Sequence, residues 1–288
     1  MATELGAVLD EGRILARSAG ENFPVASRIL PPTVRHDLMA VYGFARLVDD
    51  IGDEAGGDRR ALLDHVDREL DRVFGGNEPD HPVMRRLAAT VHSHSLPRDP
   101  FARLIEANRR DQAVHRYETF DELLGYCELS ANPVGQLVLL VLGAATPRRM
   151  DWSDAVCTGL QLTEHWQDVA EDARRGRVYV PQEDLRRFGV ELDDLLGGRS
   201  TPAFRRLMAF ECDRASPLLN HGVLLAAELG GRGGFAVAAF VAGGHAALEA
   251  IGTGRYDVLS GTPRPSRTRR VTALARTLLR ARSRRLQR

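Results

Sequence analysis

Apolar residues in this chain recur at three- and four-residue steps, and no stretch sustains the alternation that a half-buried strand requires. Leu38, Val41, Phe44 (beside Ala45) and Val48 form one stripe. Leu62, Val66, Leu70 and Val73 form another, and Leu137, Leu140 and Val141 a third. A helix patterned this way has one apolar face and must bury it against other helices. Turn-forming clusters at Gly75–Pro79, Pro97–Pro100, Thr146–Pro147, Gly197–Pro202, Gly230–Gly234 and Gly261–Pro265 separate the runs. Ser130-Ala131 and Gly135 suggest a further helix break, with small side chains beside a cavity or in plain helix packing. Val178-Tyr179-Val180-Pro181 should interrupt the helical pattern, which resumes near Gln182. No linker divides two folding units, so the pattern predicts one all-α domain over residues 1–262 and a basic segment over 263–288.

Charge narrows the partners. Lysine plus arginine balance aspartate plus glutamate at a formal net charge of zero, so nothing global argues for nucleic acid. The balance fails only at the end, where no acidic residue follows Asp257 and arginines recur from Arg264 to Arg288. That segment suits contact with an anionic membrane, or a frayed, solvated terminus. Cys127, Cys157 and Cys212 are odd in number and widely spaced, which fits neither a disulfide framework nor a zinc pattern and points to a reducing cytoplasm. Met1 to Gly20 carries charges throughout, unlike a signal peptide. Val134–Ala145 is too short to span a bilayer, and Phe235–Ile251 is broken by His245 and Glu249. The expected location is therefore cytoplasmic, at most peripheral to the inner membrane.

Two segments concentrate the chemistry. In Tyr42-Gly43-Phe44-Ala45-Arg46-Leu47-Val48-Asp49-Asp50-Ile51-Gly52-Asp53, a helix places Asp49 and Asp53 one turn apart, with Arg46 and Tyr42 continuing the stripe. In the second, Gln161, Glu164, Asp168 and Asp172 share one face, and Arg174, Arg175, Arg177 and Tyr179 follow. Like charges at that spacing repel, and a divalent cation reverses the sign. Magnesium favours carboxylate and phosphate oxygens and keeps several waters, so a few carboxylates together with a substrate diphosphate suffice to hold it. Carboxylate pairs with arginines nearby suit ionisation of an allylic diphosphate, a poor leaving group until its charge is neutralised. The resulting carbocation needs a dry apolar wall.

Other readings of these residues stay open. Each segment alone is also compatible with an ordinary solvated charged face. A di-iron bundle needs Glu-x-x-His elements, and Glu164 directly precedes His165 while His245 and Glu249 stand in the wrong order. His165 is expected on another, buried face; orienting a water beside the motif is the alternative. Trp166 and Phe44 fit core packing as well as a cation-stabilising wall. His81, His92 and His94 fit a surface better than a metal site.

At these residues the chain resembles the squalene and phytoene synthase family. Asp49-Asp50-Ile51-Gly52-Asp53 is similar to its first aspartate-rich motif, and Gln161 through Asp172 with Arg177-Val178-Tyr179-Val180-Pro181 to its second. The segments Glu21-Asn22-Phe23-Pro24-Val25-Ala26-Ser27, Ser130-Ala131-Asn132-Pro133-Val134-Gly135 and Tyr256-Asp257-Val258-Leu259 look most like the hopanoid-pathway hydroxysqualene synthase branch. The resemblance implies a class I isoprenoid synthase helical fold with a central cavity. It implies magnesium held by Asp49, Asp53, Asp168 and Asp172, with Glu164 as a further candidate ligand. It implies substrate contacts at Asn22, Phe23, Tyr42, Arg46, Ser130, Ala131, Gln161, Arg174, Arg177, Tyr179 and Tyr256, and an acid at Asp111.

For that branch the implied reaction is ionisation and rearrangement of presqualene diphosphate with capture by water. It needs no NADPH, and no glycine-rich dinucleotide fingerprint follows a strand. Two departures stand out. Glu164 replaces the family's usual asparagine, and Glu21-Asn22 stands where condensing enzymes carry serine and lysine near a diphosphate. Glu21 would repel a second diphosphate, which favours the single-substrate branch. Head-to-head condensation of two linear prenyl diphosphates is the nearest alternative, and a non-catalytic helical partner of a prenyl-lipid complex is the alternative of another class.

Overall fold

The computed structural model describes residues 29–287; the candidate contacts Asn22 and Phe23, with Glu21, lie outside the described residues. In order, the helices are α1 (Pro32–Asp53), α2 (Arg59–Phe74), α3 (Pro82–His94), α4 (Asp99–Asp111), α5 (Phe120–Ser130), α6 (Asn132–Val141), α7 (Pro147–Arg174), α8 (Gln182–Phe188), α9 (Leu192–Leu196), α10 (Pro202–Leu229), α11 (Gly231–Thr253) and α12 (Arg267–Leu286). Local chemistry sets their starts. Proline, whose missing N–H costs nothing in a first turn, opens α1, α3, α4, α6 and α10. Asp58 caps α2 by accepting from the Ala61 amide at 3.0 Å, and Thr201 caps α10 through the Phe204 amide at 3.1 Å. No strand occurs among the described residues; one isolated parallel bridge joins Arg116 and Val178.

The chain forms two compact units. One runs to Ala113 and takes in Glu128–Met150; the other holds Val114–Cys127 and everything from Asp151. The chain passes between them three times, once in the connection after α4 (Ala113 to Val114) and then inside α5 and inside α7, so two of the three crossings carry no turn signal in the sequence.

In the first unit α1 packs against α2, α3, α4 and α6. Leu38, Val41, Phe44, Val48 and Ile51 of α1 meet Leu63, Val66, Leu70 and Val73 of α2, together with Phe101, Ile105 and Leu137. The expected stripe is present, with Leu63 rather than Leu62 fully buried on α2. Phe44 is wholly buried, edge-on to Phe101 with ring centroids 5.2 Å apart, so it is a core residue.

The second unit is built on α10, α11 and α12, which pack on one another. Small residues let them approach: a Cβ at Gly222 would lie 2.1 Å from Val241. α11 is long and apolar enough to cross a bilayer, yet 67% of its apolar window is buried within the protein. The basic segment, for which a frayed end is one of two readings, forms the helix α12, with Ala273, Thr277 and Ala281 buried. Val178–Pro181 interrupts the helical run as expected: the Val178 amide donates to His115 O at 2.8 Å, and α8 begins at Gln182. The break at Ser130-Ala131 is also present between α5 and α6, with Pro133 in the first turn of α6.

Candidate active site

The first carboxylate pair sits at the end of α1. Asp49 accepts a hydrogen bond from Asn108 Nδ2 of α4 at 3.2 Å. By surface the residue is exposed, yet the protein around its carboxyl desolvates it. That desolvation raises its carboxyl to about 6; the Asn108 bond opposes the rise and the Asp53 charge adds to it. Asp53 is exposed one turn on. Arg46 Nε lies 2.9 Å from Asp50 Oδ1, so Asp50, 6% exposed, anchors it. Tyr42 is half-buried one turn earlier. Arg59 completes this end of α1 by donating to the carbonyls of Ala55 (2.8 Å), Gly52 (3.0 Å) and Asp53 (3.0 Å). Asp111 is buried on α4, and Gln112 donates to Gly52 O at 3.0 Å.

The second pair belongs to the other unit, on α7. Asp168 is half-buried and accepts from Thr262 Oγ1 at 3.4 Å. Burial first, and Asp172 second, raise its proton affinity. His165, set aside by the sequence reading, sits in this group. The Gln161 amide lies 3.1 Å from its Nε2, and its Nδ1 lies 3.9 Å from Asp172 Oδ2. The ring stacks on Tyr179 at 3.7 Å between centroids, and Tyr126 and Tyr117 extend the aromatic cluster. Trp166 is fully buried, a core residue on a different side of α7. Glu164 and Arg174 are exposed, Arg177 is half-buried, and Arg175 pairs with Glu171 at 2.8 Å.

The remaining candidates are more scattered. Ser130 is half-buried and Ala131 buried at the α5–α6 break. Tyr256 lines a cavity of about 450 Å³ with Cys212, His245 and Arg276, whose wall holds none of the other candidates. Its neighbours Val258 and Leu259 are core, and Asp257 is held by Ser200 at 2.7 Å and Arg205 at 2.9 Å. That late motif is thus largely an anchor for the chain after α11.

The donor set fits a hard divalent cation. Each pair consists of carboxylates one turn apart on one helix, and proton affinity is raised at Asp49 and Asp168, by burial first and by the neighbouring carboxylates besides. Among the described residues no three His, Cys, Asp or Glu side chains converge into a cage. Magnesium, which keeps waters and takes substrate oxygens, needs no such cage.

The all-helical architecture is that of class I isoprenoid synthases, and the carboxylate motifs sit on its helices. The chain belongs to the squalene/phytoene synthase family, whose pattern matches residues 16–273, and it is an enzyme of that prenyl diphosphate-processing group. It is 37% identical over 212 residues to the hydroxysqualene synthase of Rhodopseudomonas palustris, an alignment covering 73% of this chain and 71% of that protein. It is 34% identical over 218 residues to the phytoene synthase of Arthrospira platensis, covering 70% of each. The solved structure of squalene synthase HpnC from Alicyclobacillus acidocaldarius superimposes with a TM-score of 0.81 at 43% identity, over 89% of this chain and 97% of that one.

Proposed function

We propose that this enzyme is a hydroxysqualene synthase of hopanoid biosynthesis, working in the cytoplasm at the periphery of the inner membrane. The observation that supports it most is the 43% identity to squalene synthase HpnC across 97% of that chain; the likeness to a hydroxysqualene synthase agrees. In this reading the carbon–oxygen bond of presqualene diphosphate breaks and its electron pair leaves with the diphosphate. The cyclopropylcarbinyl cation rearranges, water oxygen bonds to the cationic carbon, and the proton is lost to give hydroxysqualene.

Asp49, Asp53, Asp168 and Asp172 would hold magnesium, with Glu164 as a further candidate ligand. Bound metal neutralises diphosphate charge as the leaving group departs. Arg46, Arg174 and Arg177 add positive charge to the diphosphate side, and Tyr42, Gln161, Tyr179, Ser130, Ala131 and Tyr256 are assigned to the substrate. His165 is added as the group that orients Gln161 beside Asp172.

The test is incubation with magnesium and presqualene diphosphate and identification of the C30 product. Hydroxysqualene is expected, and a reduced nicotinamide should leave the product unchanged. Likeness to phytoene synthases supports a second reading, head-to-head condensation of two linear prenyl diphosphates. Turnover of a linear diphosphate with none of presqualene diphosphate would select it.

A further inference from the structure

α12 has two unlike faces. Ala273, Thr277 and Ala281, spaced one turn apart, form a seam with Leu274 and Leu278 that packs on α10 and α11. On the opposite side Val271, Leu279 and Leu286 are 66%, 65% and 79% exposed, more than any other large apolar side chain among the described residues. At helical pitch these three fall within an arc of about 80°. Arg282 lies within that arc, on a stem long enough to carry its guanidinium to the edge, and Arg267 and Arg285 flank it. Exposed to this degree, the outer stripe adds little to the packing that the inner seam provides.

We propose that this outer face is a lipid-insertion surface: α12 lies in the plane of an anionic bilayer, with Val271, Leu279 and Leu286 among the acyl chains and the flanking arginines at the phosphates. Charge complementarity selects this occupant. No acidic residue follows Asp257, and of the acids on the packed helices Glu249 engages Arg276 at 2.9 Å. A second copy of this chain packed on the same face would set arginine against arginine. A nucleic acid would use the arginines but not the leucines. The idea deepens the peripheral-membrane part of the proposed function. It is tested without turnover, so either can fail alone.

The experiment is flotation of the full chain with phosphatidylcholine vesicles, with and without phosphatidylglycerol, across a salt series. The wild type is expected to bind the anionic vesicles strongly and the zwitterionic ones weakly. Val271→Ser with Leu279→Ser leaves charge and the buried seam intact and should bind about tenfold more weakly at every salt concentration. Arg267→Gln with Arg282→Gln should flatten the salt dependence. Leu279→Trp gives an independent reading, because its emission should shift to shorter wavelength on anionic vesicles.

A serine variant that binds as tightly as the wild type, or a Leu279→Trp emission that vesicles leave unchanged, would overturn the proposal. So would a wild-type dimer that the serine pair dissociates, since the face would then be covered by a second copy.

Discussion

Asn108 lies directly over the bare backbone of Gly52: a Cβ there would stand 2.0 Å from Asn108 Oδ1, while Asn108 Nδ2 donates to Asp49 at 3.2 Å. The glycine inside the first aspartate motif therefore makes room for the residue that holds its first carboxylate. Gly52→Ala should push Asn108 aside, cost about 1–3 kcal/mol of stability, and lower turnover by loosening Asp49. Gly52→Ala combined with Asn108→Ala should recover much of the lost stability but not the activity. A thermal melt and a rate for each of the single and double variants complete the cycle. Additive stability losses would show that the two residues do not interact.

Asp49→Ala and Asp168→Ala each remove a charge assigned to metal and diphosphate rather than a core contact. Each is expected to reduce kcat by about a hundredfold or more, with helical circular dichroism unchanged. Because burial disfavours each charged carboxylate, its removal should leave the melting temperature within a few degrees of the parent. Activity retained alongside a large loss of stability would mean the aspartates serve the fold instead.

How much of this was legible in the sequence depended on periodicity. The stripe from Leu38 to Val48 marked α1 and its buried face, and Pro181 marked the start of α8, because apolar spacing and proline act locally. The aspartate pairs were legible for the same reason, since one turn of helix fixes their spacing. Contacts between distant segments were not. Asn108 reaches Asp49 across 59 residues of chain, and Thr262 reaches Asp168 across 94. Asp50 escaped notice because its neighbour Asp49 carried the motif, yet it is Asp50 that anchors Arg46. His165 fits the helical face of Gln161 and Asp172, but a lone histidine gives no signal of which side it takes. The order of the C-terminal segment was also hidden, because arginine-rich composition looks alike in a frayed end and in a helix packed through alanines.

Glu211 on α10 is fully buried, 3.5 Å from Arg214 Nη1, and Arg214 binds Asp184 at 2.5 Å. Burial, and next the Asp184 charge, push the Glu211 carboxyl up to about 8, so it is largely protonated at neutral pH. Between its ordinary value and about 8 the folded chain binds more protons than the unfolded one, so stability falls as pH rises through that window. Glu211→Gln keeps the shape and removes the titration. The melting temperatures of parent and variant should coincide near pH 4 and separate progressively toward pH 8, with the glutamine variant higher. A constant difference across that range would refute the assignment.

Glu164 departs most sharply from the family resemblance, and it is exposed on the helix that carries Asp168 and Asp172. A carboxylate ligand would hold magnesium more tightly than an amide, while bringing one more negative charge toward the diphosphate. Glu164→Asn is therefore expected to keep much of the activity while raising the magnesium concentration needed for half-maximal rate. Glu164→Ala supplies no oxygen and should raise that concentration further and turn over more slowly. His165 beside it remains stacked on Tyr179 in both variants, so the aromatic cluster serves as an internal check: near-ultraviolet circular dichroism should not change. The deciding measurement is half-saturating magnesium for the three proteins at fixed substrate. Three equal values would place Glu164 outside the metal site and leave the charge there to Asp168 and Asp172.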